Sequence, residues 1–207
     1  MRPLKVPGAW TTSPPSFQDD RGSFHEWFRG EDLRAVTGRP FHLAQGNCSV
    51  SRRGVVRGIH YADVPPGQAK YVTCVRGAVR DVVVDLRTGS PTFGVWDAVR
   101  LDADNRRAVF LSEGLGHGFQ ALTDDATVVY LTTSGYDPSR EHAVNPFDPR
   151  LGIAWDGDTP PVLSARDTAA PGLTAVEAAG LLPSFDACMN VPTGATRPLP
   201  PDPEESL

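Results

Sequence analysis

Tyr71-Val72-Thr73-Cys74-Val75-Arg76-Gly77-Ala78-Val79-Arg80-Asp81-Val82-Val83-Val84-Asp85-Leu86 contains two runs of β-branched and small apolar residues joined by an Arg-Gly turn signal. β-branched side chains fit a pleated, half-buried surface, and Gly allows a tight chain reversal. Two strands are expected, 71–75 and 78–86. Working outward, Phe93–Leu101 follows the Gly89-Ser90-Pro91 turn, Ala108–Leu111 precedes a Gly-rich segment, and Ala126–Thr133 closes the series. No helical crossover separates these runs, so the pattern predicts an all-β fold of antiparallel sheets, a sandwich or jelly roll, spanning 1–185 as one domain.

Helix signals are peripheral. Glu31-Asp32-Leu33-Arg34-Ala35-Val36 has an acidic first turn and a Gly38 stop, and Thr174–Leu182 opens with a Thr174/Glu177 capping-box spacing. The segment 186–207 is Pro-rich and is expected to be a disordered tail, because it offers little apolar surface to offset chain entropy.

The 207 residues carry a formal charge of −5 and a pI near 5.5. That balance argues against a protein built to neutralise a nucleic-acid backbone, although a few converging cations still suffice for one pyrophosphate. The N-terminal MRPLKVPGAW lacks an apolar signal core and no later run is long enough to span a bilayer, so a cytoplasmic protein without membrane partners is expected. Cys48, Cys74 and Cys188 are odd in number and form no CxxC pair. They are read as ordinary thiols rather than a disulfide framework or zinc site, with Cys48 and Cys74, in strand-like segments, packed half-buried.

The chemistry concentrates in a few polar residues scattered through the β-rich region. His60 and His117, two of only five histidines, lie in the Gly-flanked segments Gly58-Ile59-His60 and Gly116-His117-Gly118. An imidazole is a natural general base and a Tyr hydroxyl, here Tyr130, a general acid from the other side of a substrate. A carboxylate such as Asp167 on the far ring nitrogen of His60 would fix its tautomer and stabilise the imidazolium formed on proton abstraction. Lys70 and His117 could hold a developing oxyanion. The set suits proton abstraction beside a carbonyl. Taken singly, each has a plainer structural reading: a bonded core His, a solvated Lys, a rim Tyr, a capping Asp.

Their order resembles a known family. Asp20-Arg21-Gly22 with Glu26, Gln45-Gly46-Asn47-Cys48-Ser49, Gly54-Val55-Val56-Arg57-Gly58-Ile59-His60, Gln68-Ala69-Lys70, Asp85-Leu86-Arg87, Gly116-His117-Gly118-Phe119, Tyr130 and Ser164-Ala165-Arg166-Asp167 are similar to the blocks of the cupin-type dTDP-4-dehydrorhamnose 3,5-epimerases. The resemblance covers about residues 17 to 185. It implies a cupin jelly-roll barrel, no cofactor, and a dTDP-linked 4-keto-6-deoxy sugar as substrate. It further implies His60 as base with Asp167 as partner, Tyr130 as acid, and Lys70 and His117 at the keto oxygen. Arg21, Glu26, Gln45, Asn47, Arg57, Glu141 and Arg166 are the implied substrate contacts. A homodimer in which N-terminal strands reach the partner's sheet is also implied. Ser23 and Cys48 depart from the family pattern, which usually has an aromatic residue and a histidine there, and the choice between inversion at C3, at C5 or at both stays open.

Three rival readings differ from this one at particular residues. Metal cupins carry a His-x-His pair, whereas His60 is followed by Tyr61 and Ala62. A sugar-nucleotide 3,4-ketoisomerase would move the carbonyl, and retention of Tyr130 favours epimerisation. A non-catalytic binding cupin would be expected to lose His60, Tyr130 or Asp167, and all three are present.

Overall fold

The computed structural model describes residues 1–191. Two antiparallel sheets make up the body. The first has six strands in the order β1 (Arg2–Pro3), β2 (Ala9–Thr12), β10 (Ala108–Leu111), β7 (Lys70–Arg76), β12 (Ala126–Thr132) and β5 (Gln45–Ser51). The second runs β13 (Glu141–Ala143), β6 (Val56–Ala62), β11 (Leu115–Ala121), β8 (Ala78–Asp85) and β9 (Trp96–Asp102). A separate hairpin pairs β3 (Ser16–Asp19) with β4 (Gly22–His25). The sheets stay open, with β5 and β13 as edges, so the expected barrel is not closed.

Strand periodicity explains how the sheets stack. On β7, Val72 and Cys74 face inward and join Val109, Leu111 and Val128 of the same sheet against Val79, Val83, Leu101, Leu115 and Phe119 of the other. Alternate residues point the opposite way, so Tyr71 packs outside with Leu33 and Phe110. The valine run of β8 is nearly continuous because both of its faces are covered. Val79 and Val83 face the inner core, while Val82 and Val84 pack with Ile59, Leu86, Leu173 and Val176.

Several expected boundaries moved for local reasons. The strand expected at Phe93–Leu101 begins at Trp96, since Phe93–Val95 form a turn whose Gly94 N–H bonds the Asp85 carbonyl at 2.8 Å. The Asp85 carboxylate accepts the Ser90 and Thr92 hydroxyls, both at 2.6 Å, which fixes that turn. The helix α1 (Gly30–Thr37) forms as expected and ends on Gly38 in the left-handed region at φ 72°. The short α2 (Ala165–Thr168) precedes α3 (Leu173–Ala178), which is shorter than the expected Thr174–Leu182 and lacks the capping box. Instead Asp148 accepts the Leu173 N–H at 2.9 Å, and Glu177 pairs with Arg150 at 2.8 Å. A last helix, α4 (Phe185–Met189), crosses the boundary expected at 185/186, capped by Ser184 and anchored by buried Cys188. The rest of the expected disordered tail, 192–207, lies outside the described residues.

Cys74 is buried as expected, Cys188 is buried as well, and Cys48, expected to be half-buried, is exposed on edge strand β5. No helix among the described residues is long and apolar enough to cross a membrane.

Candidate active site

The open side of the sandwich, between edges β5 and β13, brings the polar residues together. Register does most of the work. His60 on β6 is the direct cross-strand partner of His117 on β11, so both side chains stand on the same inner face. One strand deeper, β8 contributes Asp81 to that face. On the opposing sheet, Asn47 of β5 pairs with Tyr130 of β12, and Gln45 pairs with Thr132, which in turn pairs with Lys70 of β7. Two polar rows thus face each other, His60, His117 and Asp81 against Asn47, Tyr130 and Lys70.

Two glycines allow β6 and β11 to approach closely at this point. A Cβ on Gly58 would sit 2.6 Å from the Gly118 Cα and 2.7 Å from the His117 carbonyl oxygen, and one on Gly118 would sit 2.7 Å from the Arg57 carbonyl oxygen. Gly58 also has φ +121°, a conformation that strains any side-chain-bearing residue. The Gly flanks noted in the sequence are therefore what seats the histidine pair.

His60 Nε2 lies 2.7 Å from Asp167 Oδ1. Asp167 is 3% exposed, and the Ser164 hydroxyl that caps α2 accepts its backbone N–H at 3.1 Å, which holds the carboxylate in place. Burial pushes the Asp167 carboxyl up, but the bonds from His60, Ser164 and the Gly58 backbone outweigh it and hold it below the usual carboxylate range. The Tyr130 hydroxyl is pushed up by burial and further by Glu141, with Arg57 opposing. Burial lowers the Lys70 ammonium, Glu141 and Asp81 pull it back up, and Arg166 lowers it.

The rim is made from residues that contact one another. Gln45 Nε2 donates to Asn47 Oδ1 at 2.7 Å, Arg57 Nε donates to the Ser51 hydroxyl at 3.1 Å, and Arg166 donates to the Glu141 carbonyl at 3.0 Å. Arg21 and Glu26 are not brought here by their own chain. Arg21 is exposed at the β3–β4 turn on Asp19, and Glu26 pairs with Arg29 at 2.9 Å.

Two contributors escaped the sequence reading. Asp81 is buried, its Oδ2 lying 2.7 Å from His117 Nε2, and Gln68 is buried with its amide reaching Ser134 and Glu141. Asp81 had left a signal, since a lone acid within a valine-rich strand must be paired if it is buried. Among the described residues no three His, Cys, Asp or Glu side chains gather as a metal ligand set would.

The family model described as dTDP-4-dehydrorhamnose 3,5-epimerase matches residues 3–175. The chain belongs to the dTDP-4-dehydrorhamnose 3,5-epimerase family. This epimerase is 58% identical over 187 residues to a dTDP-4-dehydro-6-deoxyglucose 3-epimerase of Streptomyces bikiniensis, covering 90% of this chain and 95% of that one. It is 57% identical over 189 residues to a dTDP-4-dehydrorhamnose 3,5-epimerase of Streptomyces griseus, covering 91% and 94%. Among solved structures it resembles the H60N/Y130F double mutant of ChmJ, a 3'-monoepimerase from Streptomyces bikiniensis in complex with dTDP. The TM-score is 0.90 and the identity 55%, covering 92% of this chain and 96% of that one.

A separate cavity of about 510 Å³ lies against the outer face of the first sheet, lined by His25, Trp27, Cys48, Val75, Arg106 and Leu131 among others. It sits behind Tyr130 rather than on the His60 face of this epimerase.

Proposed function

We propose that this epimerase inverts C3, C5 or both in a dTDP-linked 4-keto-6-deoxyhexose through an enolate. His60 removes the proton beside the 4-keto group, and the electron pair of the broken C–H bond passes into the carbonyl, leaving the charge on oxygen. Lys70 and His117 meet that oxygen, and Tyr130 on the facing sheet returns a proton to the opposite face of the carbon, so atoms and charge balance without a cofactor. The observation that carries this reading is the buried 2.7 Å His60–Asp167 pair on one sheet with Tyr130 on the other. The ChmJ mutant named above alters a His60 and a Tyr130, and the same residue types stand at those numbers here. Arg57, Gln45, Asn47, Glu141 and Arg166 rim the cleft where a nucleotide diphosphate would lie, and a guanidinium fork suits phosphate oxygens.

The alternation of β5 to β8 between the two sheets supports a cupin-type jelly roll. A homodimer is part of the same reading. Phe17 and Phe24 on the hairpin are 63% and 70% exposed, and a partner covering them would also carry Arg21 and Glu26 towards a second cleft.

The test is proton NMR of dTDP-4-keto-6-deoxyglucose with the protein in deuterated buffer. Exchange at both C3 and C5 makes it a 3,5-epimerase and exchange at one a monoepimerase. Exchange at neither removes the proposal for this sugar.

A further inference from the structure

Behind the His60–Asp167 pair lies a second His–Asp pair that the mechanism above leaves unexplained. Asp81 is 1% exposed, deep in the cleft on β8, with Oδ2 2.7 Å from His117 Nε2. Its other oxygen, Oδ1, is just as buried and has no hydrogen-bond partner. A buried carboxylate oxygen left without a donor is unfavourable, and a neutral residue would serve a purely structural role at less cost. The charge therefore needs another reason, and the site supplies one. Lys70 reaches the same interior from the facing sheet, and a buried ammonium needs a counter-charge to stay protonated.

We propose that Asp81 is a positioning residue, holding the His117 ring by Nε2 so that Nδ1 faces the cleft, and setting a buried negative charge behind the donors, His117 and Lys70, that meet the developing oxyanion. This rests on the epimerase reading of the site. The charged and titratable groups around His117 and Lys70 are Asp81 on β8, His60 and Arg57 on β6, Tyr130 on β12, Glu141 on β13, and Asp167 and Arg166 on α2. Of these anions only Asp81 hydrogen-bonds His117 among the described residues. Glu141 also favours the Lys70 cation, but from the rim of the cleft.

The test compares wild type with Asp81→Asn, which keeps an acceptor for the ring N–H and removes the charge. Asp81→Glu, which restores the charge, is the rescue, and thermal unfolding serves as the folding control. Three outcomes are expected in Asp81→Asn. The turnover number for C3 or C5 proton exchange falls by ~10²-fold with a smaller change in KM. The alkaline limb of its pH profile moves to lower pH, because removing the anion makes Lys70 lose its proton earlier, and Asp81→Glu moves it back. Ring ¹⁵N shifts of His117 in the ligand-free protein move away from those of wild type, in which Nε2–H is held by the carboxylate. An unmoved alkaline limb together with unchanged His117 ring shifts overturns the proposal, even if the rate falls. If Asp81→Asn does not fold, the same limb and ring shifts are read in Asp81→Glu, where wild-type positions support the charge requirement and a loss of both overturns it. The ligand-free NMR arm stands even if the chosen sugar is not a substrate, so failure of the epimerase reading is told apart from failure of this one.

Discussion

Replacing Asp167 by Asn probes the central pair of the site with almost no change of shape. The carboxylate is buried, lies 2.7 Å from His60 Nε2 and is held by Ser164. In the ground state Asn can still accept one hydrogen bond from the ring. In the transition state His60 becomes an imidazolium, and the substitution removes its counter-charge where water cannot replace it. An ion pair at contact distance in a partly buried setting is worth ~4 kcal/mol at an effective dielectric near 20, so a loss of ~3 to 4 kcal/mol, ~10²- to 10³-fold in rate, is expected. The amide can also donate to the ring, which selects the wrong tautomer and adds to the loss. The assay is the initial rate of deuterium uptake at C3 and C5 under saturating sugar nucleotide, with bound-ligand affinity measured separately and expected to hold. An Asp167→Asn rate within about threefold of wild type, while His60→Ala abolishes exchange, would refute the dyad.

Tyr130→Phe should separate two events. His60 can still remove and return a proton, so deuterium uptake at the attacked carbon persists while net inversion falls by ~10²-fold or more, read by comparing exchange with product appearance; equal loss of both would assign Tyr130 to binding instead. Gly118→Ala places a methyl 2.7 Å from the Arg57 carbonyl oxygen, and thermal or denaturant unfolding should show a destabilisation of ~1 to 3 kcal/mol with lowered exchange. The buried Asp85–Arg87 pair, N–O 2.8 Å, governs acid stability. Burial raises the Asp85 carboxyl, but Arg87, Ser90 and Thr92 outweigh it and leave it below its ordinary value. A folded-state value below the unfolded one means the stabilisation is present above about pH 4 and is lost as pH falls through the lower, folded-state value. Asp85→Asn should therefore flatten the acid limb of stability against pH and cost ~3 kcal/mol or more at neutrality by leaving Arg87 buried without its anion.

Local pattern by itself pointed to strands at 71–75, 78–86, 108–111 and 126–133, observed within a residue of those bounds, to the α1 helix with its Gly38 stop, and to the types and order of the candidate site residues. These follow from rules that act within a few residues: alternation across a pleat, Gly at a left-handed stop, turn residues between runs. Tertiary structure decided everything that depended on partners distant in sequence. Asp148, and no capping box, starts α3, because a carboxylate 25 residues away reaches the Leu173 N–H. Arg21 and Glu26 read as site residues, yet Arg21 on the β3–β4 turn pairs with Asp19 and Glu26, just past the hairpin, pairs with Arg29. Asp81 stands in the sequence as one acid among valines and drew no reading there, and only the pairing of β8 with β11 and β11 with β6 lines it up behind His117 and His60. The physical reason is that side-chain chemistry is written residue by residue, whereas a site is a set of distances across strands, fixed only when register and sheet stacking bring residues as far apart as His60 and Asp167 to within hydrogen-bonding range.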